Sequence, residues 1–366
     1  MKSIFRLRRL WLLLTFPAAF ALLALAAKGS FAEWYAENIY PALSLFGNRI
    51  SAFAPISIAE FVFFFFLIFF AAALVRFLIR MIRGSGQRLE TAGRFVVNLL
   101  CVCGVLFFLF TIDCGINYHR STFAETCGLP MKGSQESELV TLCKTLASDS
   151  NRLRAQTDAD KQSVMQLRDR IYSKNANTAR VSVNSLAKDY PLLKPGYSAP
   201  KSVYASKLMS YFNITGIFFP FTFEANVNTD VPEYTIPFTM CHELAHLRGF
   251  MREDEANFIA YLACEKSNNK DFRYSGSAMA FTYASNALYA TDAKAADKIS
   301  SGLSDGVHRD LQFDSNYWNR FKGPAADAGN KVNNSYLKAN NQKDGVQSYG
   351  RMVDLLLALQ RAGKLK

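Results

Sequence analysis

The chain of 366 residues is long enough for one large or two modest domains, and its 14% aromatic content, with 31 Phe crowded toward the N-terminus, excludes a plain soluble protein. Residues 1–114 hold 11 basic and 5 acidic residues and the remainder 31 and 25, so each part carries half of the +12 formal charge. No basic–aromatic nucleic-acid motif and no Gly-rich phosphate loop accompany that charge, which points to membrane lipid or anionic wall polymer and away from nucleic acid.

Three apolar runs open the chain. Leu10 to Ala27 is uncharged, Ser51 to Val75 carries only Glu60, and Phe95 to Ile112 is uncharged. Each approaches or exceeds the roughly 18–20 residues that cross a bilayer core. Spans are expected near 10–27, 55–78 and 95–113, making residues 1–114 a transmembrane region. The basic start (Lys2, Arg6, Arg8, Arg9) and Ala24-Leu25-Ala26 also fit a cleaved signal peptide. The length of the first run favours a retained anchor, and either choice places residue 28 onward on the same side. Basic residues cluster before the first span and after the second (Arg76, Arg80, Arg83, Arg88, Arg94), and such clusters mark cytoplasmic segments. The expectation is a multi-pass protein of the cytoplasmic membrane with its N-terminus inside. Residues 115–366 then form an extracytoplasmic domain, ample for one core.

Beyond the spans, residues 115–135 read as a juxtamembrane loop. Ser137–Leu153 carries Leu139, Leu142 and Leu146 at helical spacing, and Asp158–Ser173 continues with Val164, Leu167 and Ile171, so two amphipathic helices are expected. Loops and short strands are expected over Asn177–Val183 and through Pro191, Pro195 and Pro200. Cys127 and Cys143 are the two cysteines placed to pair in an oxidising compartment. Ile214–Phe223 is rich in β-branched and aromatic residues, but Pro220 makes it an edge strand or bulge.

A helix should then open at Tyr234–Pro237, with Thr235 as N-cap and Pro237 in the first turn. It should stop at Gly249. A second helix should start at Arg252–Asp254 and run to about Glu265. A final helix is expected over Ser348–Gln360.

The first of the paired helices contains His242-Glu243-Leu244-Ala245-His246. Imidazoles four residues apart share one helix face, with Cβ atoms about 6 Å apart. They can therefore grip one zinc ion at roughly 2.0–2.1 Å. Glu243 is turned about 100° from the first His and serves as general base toward water held by the ion, the division of labour in HExxH. A third protein ligand is required. The metzincin pattern would need His where Arg252 stands, so it fails. The gluzincin pattern takes a Glu on the following helix and an Asp or Asn four residues later, and Glu253 with Asn257 fits it. Asn257 would steady a ligating imidazole. Glu255, about 200° from Glu253, is the weaker candidate. Glu224, Asn226 and Asn228 are possible substrate contacts beside the cleft. His308 and Tyr349, with Tyr317 and Tyr336, are possible transition-state contacts.

These residues resemble a bacterial family known as a domain of unknown function, whose members have about three N-terminal spans and an HExxH domain. The resemblance rests on Asn117–Arg120 (NYHR), TGIFFPFTFEANVN at 215–228, PFTMCHELAHLRGFMREDEANFIAYLAC at 237–264 and NSYLKANNQKDGVQSYGRMVDLLL at 334–357. The segment Glu253–Asn257 is also similar to the third-ligand segment of gluzincins. The resemblance implies a membrane-anchored gluzincin-like zinc peptidase: three transmembrane helices followed by a mainly α (α+β) zincin-like domain, with a small sheet beside the HExxH helix. One Zn2+ and a peptide or protein substrate go with that reading. The alternatives are a non-catalytic zinc-binding membrane sensor or scaffold, and an amide hydrolase acting on cell-wall peptide.

Overall fold

A computed structural model describes residues 8–84 and 86–365 of the chain. Lys2 and Arg6 of the basic start lie outside the described residues. All three apolar runs are helical over most of their length. A 3-10 segment, Arg8–Leu14, leads into α1 (Thr15–Ala26), and Ile58–Arg83 and Arg88–Asp113 are single helices, α4 and α5 in chain order. Between them lie α2 (Ser30–Asn38) and α3 (Tyr40–Ala52). Mean hydropathy over the best window is 1.9 for Arg9–Ala26 and 2.7 for both α4 and α5, and none of the α4 window is buried. Bare Phe and Leu on a helix this long have no counterpart in water. The chain is a membrane protein with three candidate spans. Ser57 Oγ accepts the Glu60 N–H at 3.1 Å and fixes the start of α4. Both long helices run about 39 Å, longer than the expected spans, and the extra turns carry arginines, side chains that can lay an apolar stem along a helix and hold the charged head at an interface.

The remaining elements follow in order. They are α6 (Phe123–Cys127), α7 (Glu136–Arg154), the two-residue strands β1 (Asp158–Ala159) and β2 (Met165–Gln166), α8 (Tyr172–Ser185), β3 (Lys201–Ser202) and α9 (Ser206–Tyr211). Then come β4 (Gly216–Phe219), β5 (Glu224–Val227), α10 (Ile236–His246), α11 (Glu253–Lys266) and α12 (Lys270–Tyr289). The chain closes with α13 (Ala293–Ser300), α14 (Asp305–Asn319), α15 (Pro324–Ala339) and α16 (Met352–Arg361). The fold is mostly helical, with small sheets.

All eleven residues of α10 are buried. A helix covered on every face lies at the centre of a core, and α10 is flanked by α8, α11, α12 and the larger sheet. That sheet has the order β3-β5-β4. Its central strand β5 is buried at every position and pairs parallel to β3 and antiparallel to β4, with Gly216 opposite Val227 and Phe219 opposite Glu224. The strand expected to be an edge is one, and it ends before Pro220.

Two expected secondary-structure elements are corrected. Asp158–Ser173 is not a helix. Asp160 Oδ1 accepts the N–H groups of Gln162 and Val164 at 2.8 and 2.9 Å, and Ser163 adopts φ 61°. A carboxylate that captures nearby backbone donors competes with the helix ladder. Asn177–Val183, expected as loop or strand, lies within α8. Its polar and β-branched residues are weak helix formers, but Ala176, Ala179 and Val183 are buried against α10 and α11, and tertiary packing overrides propensity.

The segment between the first two spans is more than a connection. Tyr35 and Tyr40 belong to the same core as Phe250 and Phe258. Asn48 Nδ2 donates to the Phe223 carbonyl at 2.8 Å, and Ser44 Oγ and the Tyr197 hydroxyl are 2.8 Å apart. The stretch between α1 and α4 therefore packs with the part beyond α5, the arrangement that three successive crossings would give. Cys127 and Cys143 do not pair, and every cysteine among the described residues is a free thiol. Cys143 sits inside the core face of α7, where burial pushes its thiol up to about 12.

Candidate metal centre

The α10–α11 hairpin builds the site. Pro237 stands in the first turn of α10, and Thr235 precedes it without capping, its hydroxyl donating instead to the Pro232 carbonyl. Gly249, at φ 86°, reverses the chain where a side chain would be strained. The Phe250 N–H then returns to the Ala245 carbonyl at 3.3 Å and the Gly249 N–H to that of His246 at 2.9 Å, an end that satisfies the orphan carbonyls of the helix. Arg248, charged where zincins are usually apolar, is buried. It donates to the Leu244 carbonyl at 2.7 Å and to Asn184 Oδ1 at 2.6 Å, and stacks over Tyr197 at 4.9 Å.

This turn brings Glu253 Oε2 to 3.2 Å from His242 Nε2 and 3.5 Å from His246 Nε2. The three ligand atoms lie within 4.8 Å of one another. The far nitrogens are already engaged: His242 Nδ1 is 2.8 Å from Asn257 Oδ1, and His246 Nδ1 is 2.7 Å from the Phe250 carbonyl. Each contact orients its ring so that Nε2 faces Glu253. Asn257 Nδ2 donates onward to the Tyr349 carbonyl at 3.1 Å. Glu253 Oε2 is buried where the two imidazoles approach it. Two imidazoles and one carboxylate, with their outer partners in place, form a cluster that could hold a metal ion.

The electrostatics agree. Burial alone would raise the Glu253 carboxyl, but the charge and hydrogen bonds of the two imidazoles outweigh it and hold it at about 2. Burial would likewise lower His246, yet Glu253 lifts it to about 9. The carboxylate and the imidazoles thus favour each other's charged forms. Burial pushes the Glu243 carboxyl upward, partly countered by the imidazoles. Its Oε2 is buried without a partner, while the backbone of Phe218 in β4 hydrogen-bonds the same carboxylate. A Cβ added at Gly216 would fall 2.4 Å from Glu243 Oε1 and 2.8 Å from Thr239 Cγ2. Strand β4 therefore lies directly on the general-base candidate.

A family profile described as "Protein of unknown function (DUF3810)" matches residues 35–357. The chain belongs to this family. The matched stretch takes in α3, the second and third candidate spans, and the whole hairpin that carries the metal cluster. No curated protein and no solved structure matches the chain significantly.

In this member of the DUF3810 family, His242, His246, Glu253, Asn257 and Glu243 are gathered at one point. Tyr349 joins them, its ring stacked 6.4 Å from that of His242. Glu255 is turned away: its Oε1 accepts the Phe123 N–H at 2.7 Å and faces Arg252 at 3.1 Å. His308 is exposed on α14. Tyr317 bonds Ser210 and Asp230 at 2.6 and 2.9 Å. Asn226 and Asn228 are buried in the sheet, bonded to the carbonyls of Ile217 and Ile214.

Glu224 pairs with buried Lys201 and accepts the N–H groups of Ile58 and Ala59 at the head of α4, at 3.1 and 2.6 Å. A helix N-terminus is a natural seat for a carboxylate. Glu224→Ala should destabilise the full chain by about 3–5 kcal/mol, because it strands a buried ammonium. Thermal unfolding in detergent measures this, and a loss below about 1 kcal/mol would mean that Lys201 is solvated.

Three site residues escaped the sequence reading. Gln342 Oε1 accepts the Glu253 N–H at 3.1 Å, and the Tyr40 hydroxyl sits 3.4 Å from the carbonyls of both His246 and Leu247. Neither position carries a local signal. The third, Gly216, did carry one, since glycine inside a strand pattern marks close approach by another group.

Proposed function

We propose that the protein is a membrane-bound, zinc-dependent metallopeptidase of gluzincin type. The observation that carries this reading is the convergence of His242, His246 and Glu253 with a partnerless carboxylate oxygen of Glu243 beside them. When bound, the ion would act as a Lewis acid toward water and the scissile carbonyl. His242 and His246 would hold it through Nε2 and Glu253 through Oε2, with Asn257 and the Phe250 carbonyl fixing the rings. Glu243 takes the proton of the attacking water on Oε2. It then delivers that proton to the leaving amine as the C–N bond breaks, so that one water is consumed and an acid and an amine are released. The upward push on the Glu243 carboxyl suits this shuttle, since a base works best when its pKa lies near the operating pH.

Metal analysis of the purified full chain tests the reading. One zinc per chain is expected, and a chain that stays metal-free after zinc exposure would overturn it. Gly216→Ala should keep the zinc but push the Glu243 carboxylate aside. A displacement of about 1 Å costs on the order of 10²-fold in rate. Unchanged peptide hydrolysis in that variant would show that the close approach of β4 has no catalytic role.

A further inference from the structure

The candidate cleft stands on the ends of two spans. On one side, Cys114 is the first residue beyond α5, and its Sγ lies 3.6 Å from Met251 Sδ, two residues ahead of Glu253. Tyr336 joins this contact, 3.7 Å from Cys114 Sγ, and packs edge-on against Phe110 within α5 at 6.0 Å. On the other side, the β4–β5 hairpin is pinned to the first turn of α4. Glu224 receives the Ile58 and Ala59 N–H groups as well as the Thr222 hydroxyl at 2.8 Å. Glu60 returns the tie by accepting the Tyr204 and Ala205 N–H groups at 2.9 and 2.7 Å. Metal cluster and outer strand are each about one side-chain layer from a span end.

The surface around that strand is apolar. Phe53 is 90% exposed and Tyr204 79%, and Leu208, Ile217 and Phe221 are exposed with them. Hydrogen bonds chain these segments to the head of α4, so they surround one span end. Aromatic and branched side chains in that position belong to a bilayer interface, and a water-facing surface would not group them. The Asn228 N–H bonds the Thr215 carbonyl at 2.9 Å. By antiparallel alternation, Ile217 and Phe219 then bond inward to β5, and the backbone groups of Gly216 and Phe218 point to the free edge, toward Glu243. An extended peptide can add to such an edge.

The geometry points to a substrate that is itself anchored in the membrane: an extended juxtamembrane segment of a second membrane polypeptide, laid along β4 and cut close to its span. This rests on the peptidase reading above. The juxtamembrane segment of an anchored chain is already held at the height of β4, whereas a water-soluble protein would have to drive its backbone into the apolar rim.

The test uses the full zinc-loaded chain in liposomes, with a randomised forty-residue peptide pool offered both free in solution and fused to a single transmembrane helix. Cut sites are mapped by mass spectrometry. Cuts in the anchored pool should cluster within about ten residues of the helix, a reach of ~30 Å for an extended chain, and should vanish in Glu243→Gln. Cuts spread evenly along the anchored pool, or equal cutting of the free pool, would overturn the anchored-substrate inference and leave the peptidase standing. No cutting of either pool by a zinc-loaded chain would overturn both. A fluorophore at residue 217 (Ile217→Cys) should be quenched by brominated lipid, and an unquenched label would refute the placement of β4 whatever the activity.

Discussion

Glu243→Gln is expected to keep one zinc per chain and to lose hydrolysis by about 10³-fold, the middle of the range for removing a general base. Glutamine has the same shape, and its amide oxygen can still meet the Phe218 backbone that now holds the carboxylate. The metal cluster does not include Glu243, so the donor set is untouched. What disappears is the oxygen that accepts a proton, Oε2, which is buried and free of any other partner. Metal analysis beside turnover of a peptide pool reads both halves. Zinc retained with hydrolysis intact would remove Glu243 from the chemistry. Zinc retained, with neither wild type nor variant hydrolysing anything, would favour a zinc-holding sensor or scaffold.

Glu253→Ala should cost far more zinc affinity than Asn257→Ala. Loss of an outer partner such as Asn257, which orients His242 from 2.8 Å, costs roughly 10–100-fold in affinity. Loss of Glu253 removes one of three protein donors and the only anion among them, leaving two buried imidazoles to face a dication. Isothermal titration of the apo chain with zinc separates the two variants. If Glu253→Ala binds as tightly as Asn257→Ala, the third ligand lies elsewhere. Glu255 is then a poor substitute, since it is already committed to Arg252 and the Phe123 N–H.

Much of the site was legible because its logic is local. Two imidazoles four apart, a Glu and an Asn four apart, and a glycine between them need only the 3.6-residue turn of a helix and one reversal. The tilt of Glu255 away from Glu253 follows from the same period. Residues whose roles depend on partners far along the chain were not legible. Glu224 and Asn228 look like cleft residues in sequence, yet one holds the head of α4 and the other the start of the β4–β5 pairing. His308 has no local feature that separates a surface histidine from a catalytic one, and the structure leaves it exposed. Tyr349 and Gln342 arrive from about ninety residues beyond the hairpin.

By itself the sequence determined three candidate spans, a central helix bearing His242, Glu243 and His246, the reversal at Gly249, and a second helix presenting Glu253 and Asn257. Each of these depends on hydropathy summed over a short window or on residues within one or two turns. Tertiary structure alone decided that α3 packs against the end of α10 beside the candidate metal cluster, and that 158–173 is not helical while 177–183 is. It alone seated β4 on Glu243 and brought the candidate site against the ends of α4 and α5. Those outcomes come from burial and hydrogen bonds between segments far apart in the chain, 206 residues from Tyr40 to His246, and no local periodicity encodes a partner at that distance.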